Sequence, residues 1–310
     1  MWWNVENLFD TTHDSGKNDH DFTPDGKLNW TPKKLLLKEM RIRYLINSVR
    51  LDREYRSFPD IIAFAETENK AVFDETLSGL HGVSYESVYH DSDDIRGIDV
   101  ALAYNPARVR LLSTKAYTVP YPKLRTRKIV VAGFIAGKSE FHLVLNHWPS
   151  RAFDAAWSEP KRLAAAGVAR HVVDSLRTRD PMADIMVMGD FNDESDDRSL
   201  TDVLGAVTDA EKFKADPAKQ LLNCWYNQDA RTGSYSFRGK WQRIDHILLS
   251  AGMTDKKGVW VEPDGFRCFS IPNMLDRKGK KTWATYEKRK YKGGYSDHLP
   301  LLLRVECETH

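Results

Sequence analysis

Residues 185–193 read IMVMGDFND, and this stretch decides the fold that the sequence predicts. Its four leading apolar residues, Ile185 to Met188, are typical of a buried strand. The strand meets Gly189 and then two polar side chains, Asp190 and Asn192, where a turn is expected. Functional side chains often lie where a strand passes into a loop, so the stretch predicts both a buried sheet and one part of a site.

Four other segments place acidic, Asn or His side chains next to apolar residues, and several of them end an apolar strand. They are Trp3-Asn4-Val5-Glu6-Asn7, Ile61 to Glu66, Asn146-His147-Trp148-Pro149-Ser150-Arg151, and Tyr295-Ser296-Asp297-His298-Leu299-Pro300. Because catalytic groups often lie at the C-terminal ends of strands, we expect these five segments to meet in one place.

The rest of the pattern predicts helices interleaved with many strands. The helices are expected from Pro32, capped by Thr31, to about Arg53, from Ala71 to Leu80, and from the start Ser158-Glu159-Pro160 to about Arg177. Leu35, Leu36, Met40, Leu45, Ile46 and Val49 form the expected apolar face of the first helix. The further strands are expected at 2–5, 100–104, 109–112, 129–135, 141–145, 235–237, 244–249, 259–261 and 301–305. No linker or repeat divides the chain, so we expect one mixed α/β domain over residues 1–310.

The composition excludes several classes of protein. The chain is 41% hydrophobic and 29% charged, which is ordinary for a soluble globular protein with a sizeable core. Its three cysteines, Cys224, Cys268 and Cys307, lie far apart and form no C-x-x-C pair, so neither a disulfide framework nor a zinc site is indicated.

The start of the chain and its hydropathy are the sequence features that bear on where the protein is located. No apolar run approaches about 18 residues, so no transmembrane helix is predicted. The chain starts directly in a strand-like segment at Met1, which is compatible with a trimmed N-terminus. We therefore expect a soluble protein and a monomer, and the sequence leaves open whether it is cytoplasmic or is exported with its signal removed.

Carboxylates, amides and histidines are the groups that phosphodiester hydrolysis needs. A divalent metal must neutralise phosphate charge, a base must activate water, and further donors must hold the phosphate oxygens. Mg²⁺ prefers oxygen ligands and takes one or two carboxylates, keeping waters and substrate oxygens for the rest. The five segments contain all of these groups.

Taken in order, the five segments resemble the signature of the endonuclease/exonuclease/phosphatase superfamily, which includes pancreatic deoxyribonuclease and the apurinic-site endonucleases. The resemblance runs from Asn4 to Pro300, and its most specific parts are G-D-F-N at Gly189 and S-D-H at Ser296. It implies a four-layer α/β sandwich, in which two mixed β-sheets pack face to face with helices outside.

The resemblance also implies a metal site. Glu66 corresponds to the principal metal carboxylate, Glu6 to a second acidic position near the metal, and Asn4 to an amide beside the metal or the phosphate. Asp297 would lie beside the metal. The implied ion is Mg²⁺, for which Mn²⁺ can substitute.

The implied catalytic residues come from the same motifs. Asp190 would orient or activate water, Asn192 would donate to a phosphate oxygen, and His147 would contact phosphate or act as an acid. His298 would be a base or a phosphate contact, and Asp245, in Arg243-Ile244-Asp245-His246, would fix its imidazole. The sequence leaves open whether Asp190 or His298 is the base.

The segment from Asp276 to Tyr295 bears on the substrate. It holds eight basic residues against two acidic ones, a net charge of +6, and runs directly into Ser296. Basic side chains attract phosphates and aromatic rings stack on bases, so the segment favours a nucleic acid or another polyanion. The predicted substrate-binding residues are Lys290 and Trp283 in this segment, together with Arg151 and Arg96.

A nuclease is the function that these observations favour. A phosphodiesterase or phosphatase acting on a lipid headgroup, a sugar phosphate or another small phosphoester remains the alternative, because the sequence lacks the recognition segments of the apurinic-site and inositol-phosphate enzymes. A binding module on a degenerate scaffold is a third alternative, which the presence of every core catalytic residue type disfavours.

Overall fold

Two large mixed β-sheets form the centre of the protein, as expected. The computed structural model describes residues 1–151, 155–276 and 278–308. The six-stranded sheet has the order β15-β18-β1-β2-β4-β3, and the seven-stranded sheet has the order β5-β6-β7-β8-β13-β10-β9. The strands, numbered along the chain, are β1 Trp2–Leu8, β2 Ile61–Thr67, β3 Glu86–Tyr89, β4 Asp99–Tyr104, β5 Arg110–Tyr117, β6 Ile129–Ala136, β7 Ser139–His147, β8 Asp184–Asp190, β9 Ala206–Val207, β10 Leu221–Asn223, β11 Tyr235–Phe237, β12 Lys240–Gln242, β13 Asp245–Leu249, β14 Val259–Trp260, β15 Phe266–Cys268, β16 Tyr286–Glu287, β17 Lys290–Tyr291, β18 Leu301–Leu303 and β19 Glu306–Cys307.

The helices lie outside the two sheets. They are α1 Pro32–Leu51, α2 Lys70–Ser78, α3 Ala155–Arg179 and α4 Ala210–Ala215. Short 3₁₀ turns lie at His20–Phe22, Cys224–Asn227, Gly252–Thr254 and Pro272–Met274, and a π-helical turn at Ser199–Leu204. Among the described residues, no helix is both long and apolar enough to span a bilayer.

Successive side chains of a strand point to opposite faces of its sheet, and this alternation produces the apolar layers of the protein. In β1, Trp2 faces the core between the sheets, whereas Trp3 faces the core beneath α1 and α2. The same period of two sends Leu145 of β7 between the sheets and Val144 towards α3. Three stacked apolar layers therefore join four layers of secondary structure, as in the expected sandwich.

The start and the buried face of α1 test the helix that the sequence pattern predicted. Thr31 caps α1 by accepting from the Lys34 amide, as predicted. The prediction that Leu36 and Met40 face the core was wrong: they are 52% and 54% exposed, and the buried positions of that turn are Lys38 and Glu39. Hydrogen bonds from Lys38 to Thr285 and Tyr295, and the ion pair of Glu39 with Arg43, hold these polar side chains at the buried positions.

The third helix begins earlier than predicted. It starts at Ala155 rather than at Ser158, and Pro160 lies inside the helix. The hydroxyl of Ser158 accepts a hydrogen bond from Arg162 at 2.7 Å instead of marking the helix start. Several short strands, among them β3, β10 and β16, were not predicted, because two to four residues carry too little periodicity to be recognised.

Candidate functional site

Three neighbouring strand ends of the seven-stranded sheet each present one of the predicted catalytic side chains. His147 ends β7, Asp190 ends β8, and Asp245 begins the antiparallel β13. Asp190 is paired in register with His147 on one side and with Asp245 on the other. The ladder therefore places the three side chains in one row, and all three residues are buried.

Asp245 holds His298 in one orientation. The Asp245 Oδ2 atom lies 2.7 Å from His298 Nδ1, and the same carboxylate accepts from Ser234 Oγ at 2.6 Å and from the Trp2 indole at 3.0 Å. Burial opposes ionisation of Asp245, but the charge and hydrogen bond of His298 and the donors Ser234 and Trp2 together hold its pKa below the usual value.

The ring of His298 lies in a strongly anionic environment. Burial alone lowers the pKa of His298, but the neighbouring carboxylates of Asp245, Asp297 and Asp190 raise it well above the usual value. The ring of Tyr235 packs against it, with 4.8 Å between the ring centroids. These carboxylates therefore favour the protonated form of the imidazole.

Asp190 is the carboxylate on which the other groups converge. Its Oδ2 accepts from Asn4 Nδ2 at 3.0 Å and lies 3.8 Å from His147 Nε2 and 3.9 Å from His298 Nε2. Burial and the charge of Asp245 raise the pKa of Asp190 to about 7, against the opposing effects of His298 and the Asn4 hydrogen bond. A carboxylate of this pKa can exchange a proton near neutral pH.

His147 is neutral. Burial, followed by the nearby charges of Arg127, Arg96 and His298, lowers its pKa well below the usual value. Its Nε2 lies 3.8 Å from both Glu66 and Asp190, and its Nδ1 has no hydrogen-bond partner among the residues that the structure describes. A neutral imidazole can donate one hydrogen bond towards the space between these carboxylates.

The six-stranded sheet presents its side chains through irregular backbone. The pairing of β1 with β2 shifts register between Asn4 and Leu8, and that of β2 with β4 shifts between Ala65 and Thr67. At these bulges the non-glycine residues Glu6, Asn7 and Glu66 have φ values of 53°, 60° and 64°. Bulges re-aim side chains at sheet edges, and left-handed backbone at non-glycine residues concentrates at functional sites.

Glu66 has the features that a metal ligand needs. One carboxylate oxygen accepts from the Asn7 amide at 3.0 Å, whereas Oε1 has only longer contacts, at 3.8 Å to His147 and 4.0 Å to Arg96. The Asp297 side chain is 40% exposed, and the charge of Glu66 acts on its carboxylate. These hard oxygen donors at an accessible edge suit Mg²⁺.

Glu6 points elsewhere. Both its carboxylate oxygens accept backbone hydrogen bonds, from Thr285 at 2.5 Å and Tyr286 at 3.0 Å. Burial and the charge of Asp297 raise the pKa of Glu6 to about 7, while Lys38 lowers it. The structure thus places this predicted metal residue against the segment that leads into β16, with its oxygens already hydrogen-bonded.

Asn192 follows Asp190 in a left-handed conformation, with φ of 53°. Its side-chain nitrogen Nδ2 donates to the Trp148 carbonyl at 3.0 Å. The same carbonyl also accepts from Arg127 at 2.6 Å. Arg127 in turn pairs with Asp94 at 3.0 Å. The loops after β7 and β8 are therefore tied together beside the catalytic row.

The predicted substrate residues are dispersed around the site. Arg96 reaches to within 4.0 Å of Glu66, and Arg151 donates to Gln242 at 3.1 Å. Lys290 is exposed on the β16–β17 hairpin. Trp283 packs beneath the Arg41 guanidinium and donates its indole N–H to the Lys292 carbonyl, which makes it a packing residue at the hairpin base. Arg277 of the basic segment lies outside the described residues.

Some contributing residues were missed at the sequence level. Ser234 and Trp2 hold Asp245, Arg127 holds the Trp148 carbonyl, and Lys38 lies buried near Glu6. Only Lys38 carried a usable signal, because it lies four residues before Ile42 on the buried face of α1, where a lysine is unexpected. The other three depend on contacts between distant segments.

Comparisons with solved structures place this fold among known proteins. Mannosyl-6-phosphatase Bt3783 of Bacteroides thetaiotaomicron is similar with a TM-score of 0.59 at 16% identity, over 98% of each chain. TDP2 of D. rerio, complexed with a single-strand DNA product, has a TM-score of 0.57 at 16% identity, over 98% of this chain and 97% of that one. The human Nocturnin catalytic domain with bound sulfate has a TM-score of 0.56 at 16% identity, over 88% and 87%. At these identities the likeness concerns the fold.

The comparison of sequences identifies the family of the chain, although it identifies no single relative. No curated protein matches the chain. The model of the Endonuclease/Exonuclease/phosphatase family matches residues 1–307, which is almost the whole length. The chain therefore belongs to the endonuclease/exonuclease/phosphatase family.

Proposed function

We propose that this protein is a Mg²⁺-dependent phosphodiesterase that hydrolyses nucleic acid by in-line attack of water. The observation that carries the proposal is the convergence of two histidines on Asp190: the Nε2 atoms of His147 and His298 each lie within 4 Å of Asp190 Oδ2. His147 also lies 3.8 Å from the accessible carboxylate of Glu66. Membership of the family supports the reaction class.

Glu66 is the proposed metal ligand, with Asp297 beside it and Asn4 on the adjoining strand. A bound Mg²⁺ would supply Lewis-acid stabilisation of the leaving oxygen. Glu6 is left out of this set, because both its oxygens accept hydrogen bonds from the 285–286 backbone. Mn²⁺, which also takes carboxylate ligands, is expected to substitute.

Asp190 is the proposed base. Its pKa of about 7 lets it take a proton from water near neutral pH, and Asn4 fixes its Oδ2. His298, held as an imidazolium by Asp245, donates to a non-bridging phosphate oxygen instead of acting as the base. His147, which is neutral, donates a second hydrogen bond to the phosphate.

The exposed basic tip of the β16–β17 hairpin is the proposed contact with the nucleic-acid backbone. Lys288, Arg289 and Lys290 are all exposed, whereas Lys281 and Lys292 are paired with Glu287. Among the described residues these three cations have no ion-pair partner, and such a cluster favours a chain of phosphates over a single small phosphoester.

Cleavage assays test the proposal. Single-stranded DNA, plasmid DNA, RNA and bis-(p-nitrophenyl) phosphate are incubated with Mg²⁺, Mn²⁺ or EDTA, with the wild type, Glu66→Gln and the exposed control Glu75→Gln. We expect polynucleotide cleavage that EDTA abolishes, that Glu66→Gln strongly reduces and that Glu75→Gln leaves intact. Turnover of small phosphoesters alone would replace the nucleic-acid substrate with a sugar phosphate or a related compound and keep the chemistry.

A further inference from the structure

Lys38 is a buried cation that the proposed reaction does not use. It lies on the inner face of α1, is 1% exposed, and donates from Nζ to Thr285 Oγ1 at 2.6 Å and to the Tyr295 carbonyl at 2.7 Å. A buried ammonium is costly unless it is hydrogen-bonded and faced by opposite charge. Both acceptors belong to the segment that carries the basic hairpin.

Thr285 is held from a second direction by the end of β1. Its amide donates to Glu6 Oε2 at 2.5 Å, and the following amide, of Tyr286, donates to Glu6 Oε1 at 3.0 Å. The Thr285 carbonyl accepts from the amides of Lys292 and Gly293 at 2.8 and 3.3 Å, on the returning arm of the hairpin. One buried residue therefore connects α1, β1 and both arms of the hairpin.

The outer part of the hairpin has fewer polar attachments. Tyr286 and Tyr291 pack on Trp30 of the loop after β1, with ring centroids at 6.1 and 6.5 Å, and the Tyr286 hydroxyl donates to the Leu28 carbonyl at 3.2 Å. Beyond them, residues 287–290 are all exposed. The direction of the tip is therefore set at its base.

We propose that Lys38, Glu6 and Thr285 form a clamp that fixes the β16–β17 hairpin against the catalytic end of β1, and so positions Lys288, Arg289 and Lys290 to receive a polyanionic substrate. The assignment gives Glu6 a positioning role in place of metal ligation. The substrate half of this inference rests on the proposed function, whereas the clamp itself is a property of the folded chain.

The charges around the clamp match this role. Glu6, Asp297 and Glu66 all act electrostatically on Lys38, so the ammonium lies among the carboxylates at the catalytic edge. Glu6 is the only one of the three that is hydrogen-bonded to the same residue as Lys38. Thr285 thus lies between an anion and a cation, and its hydroxyl and amide bond to opposite charges.

Limited proteolysis tests the clamp without any assay of activity. Trypsin cleaves after lysine and arginine, and the hairpin turn presents Lys288, Arg289 and Lys290. We compare Lys38→Met and Thr285→Val with Lys33→Met, which removes the same charge from the exposed face of α1. Loss of a charge-assisted hydrogen bond is expected to raise native-state cleavage at the tip about ten-fold in the first two variants and not in the control.

Kinetics test the positioning of the tip. With an oligonucleotide substrate we expect KM to rise about ten-fold in Thr285→Val while kcat stays within about two-fold, because binding contacts are lost and every charge at the catalytic edge is kept. With bis-(p-nitrophenyl) phosphate, which is too small to reach the hairpin, KM should be unchanged.

The possible outcomes distinguish a failure of the clamp from a failure of the proposed function. Unchanged tryptic cleavage in folded Thr285→Val, whose side chain has nearly the same volume, overturns the clamp whatever the enzyme does. Faster cleavage with unchanged KM for the oligonucleotide overturns the positioning role. An absence of phosphodiester hydrolysis in the wild type would count against the proposed function alone, since the proteolysis comparison still holds. Circular dichroism confirms that each variant is folded.

Discussion

The two sheets contribute to the site in different ways. The seven-stranded sheet supplies His147, Asp190 and Asp245 from regular, register-paired strand ends that are almost wholly buried. The six-stranded sheet supplies Glu6 and Glu66 from bulges with left-handed backbone. The regular half carries the groups proposed to accept or donate protons, and the irregular half carries the groups proposed to hold metal and the substrate hairpin.

This difference has a physical reason. Proton transfer needs carboxylates and imidazoles with altered pKa values, and burial in a regular ladder produces such shifts. A metal ligand needs an oxygen that points out of the sheet towards solvent, and a flat strand cannot aim two successive residues that way. A bulge does so at the expense of backbone strain. Each prediction below perturbs one half and compares it with the other.

The largest expected effect is at the centre of the regular half. Asp190→Asn removes the proposed base while the amide can still accept from Asn4, so kcat should fall about 10³- to 10⁴-fold with little change in stability. Steady-state kinetics at pH 8, with the exposed neighbour Asp196→Asn as control, measure this. A loss smaller than ten-fold would assign the base to another residue, and His298 would be the next to test.

The pH dependence of activity tests Asp190 and His298 separately. Asp190 must be ionised to accept a proton, so activity should fall as pH drops through about 7, the raised pKa of this carboxyl. His298 must be protonated, so activity should also fall when pH rises through its pKa, which the carboxylates raise well above the usual value.

Asp245→Asn removes the main anionic partner of His298. We expect the alkaline limb of the pH profile to move to lower pH and kcat to fall roughly two to three orders of magnitude. An unmoved alkaline limb would contradict the role of protonated His298 as a hydrogen-bond donor to the phosphate.

Sequence alone predicted the regular half better than the irregular half. The apolar runs ending in Asp190 and Glu66 were visible because burial on a strand imposes apolar residues, and the segment order then indicated the family. The bulges at Glu6 and Glu66 leave no periodic signal, since a single inserted residue changes orientation without changing composition. The orientation of Glu6 depends on amides 279 and 280 residues away, which no local pattern encodes.

The irregular half should respond to metal concentration. Glu66→Gln keeps the side-chain volume and removes the ligand charge, so the Mg²⁺ concentration for half-maximal activity should rise about 10- to 100-fold, with partial recovery of the rate at high Mg²⁺. Titration calorimetry with Mn²⁺ provides a readout that is independent of turnover. Asp190→Asn should bind the metal almost normally, and equal losses of affinity in the two variants would contradict the division between the halves.

The smallest expected effect tests the backbone strain itself. Asn7 has φ of 60° in the bulge and donates to Glu66 through its amide, which any residue can supply. Left-handed backbone costs an ordinary side chain about 1 kcal/mol that glycine does not pay, so Asn7→Gly should be more stable than Asn7→Ala by about 1 kcal/mol. At Lys115, an exposed position in the regularly paired part of β5, the order should reverse, with the alanine variant more stable than the glycine variant by roughly 0.5–1 kcal/mol. Urea unfolding of the four variants measures both differences. The same order at both positions would mean that the bulge stores no strain, and the contrast between the sheets would then rest on electrostatics alone.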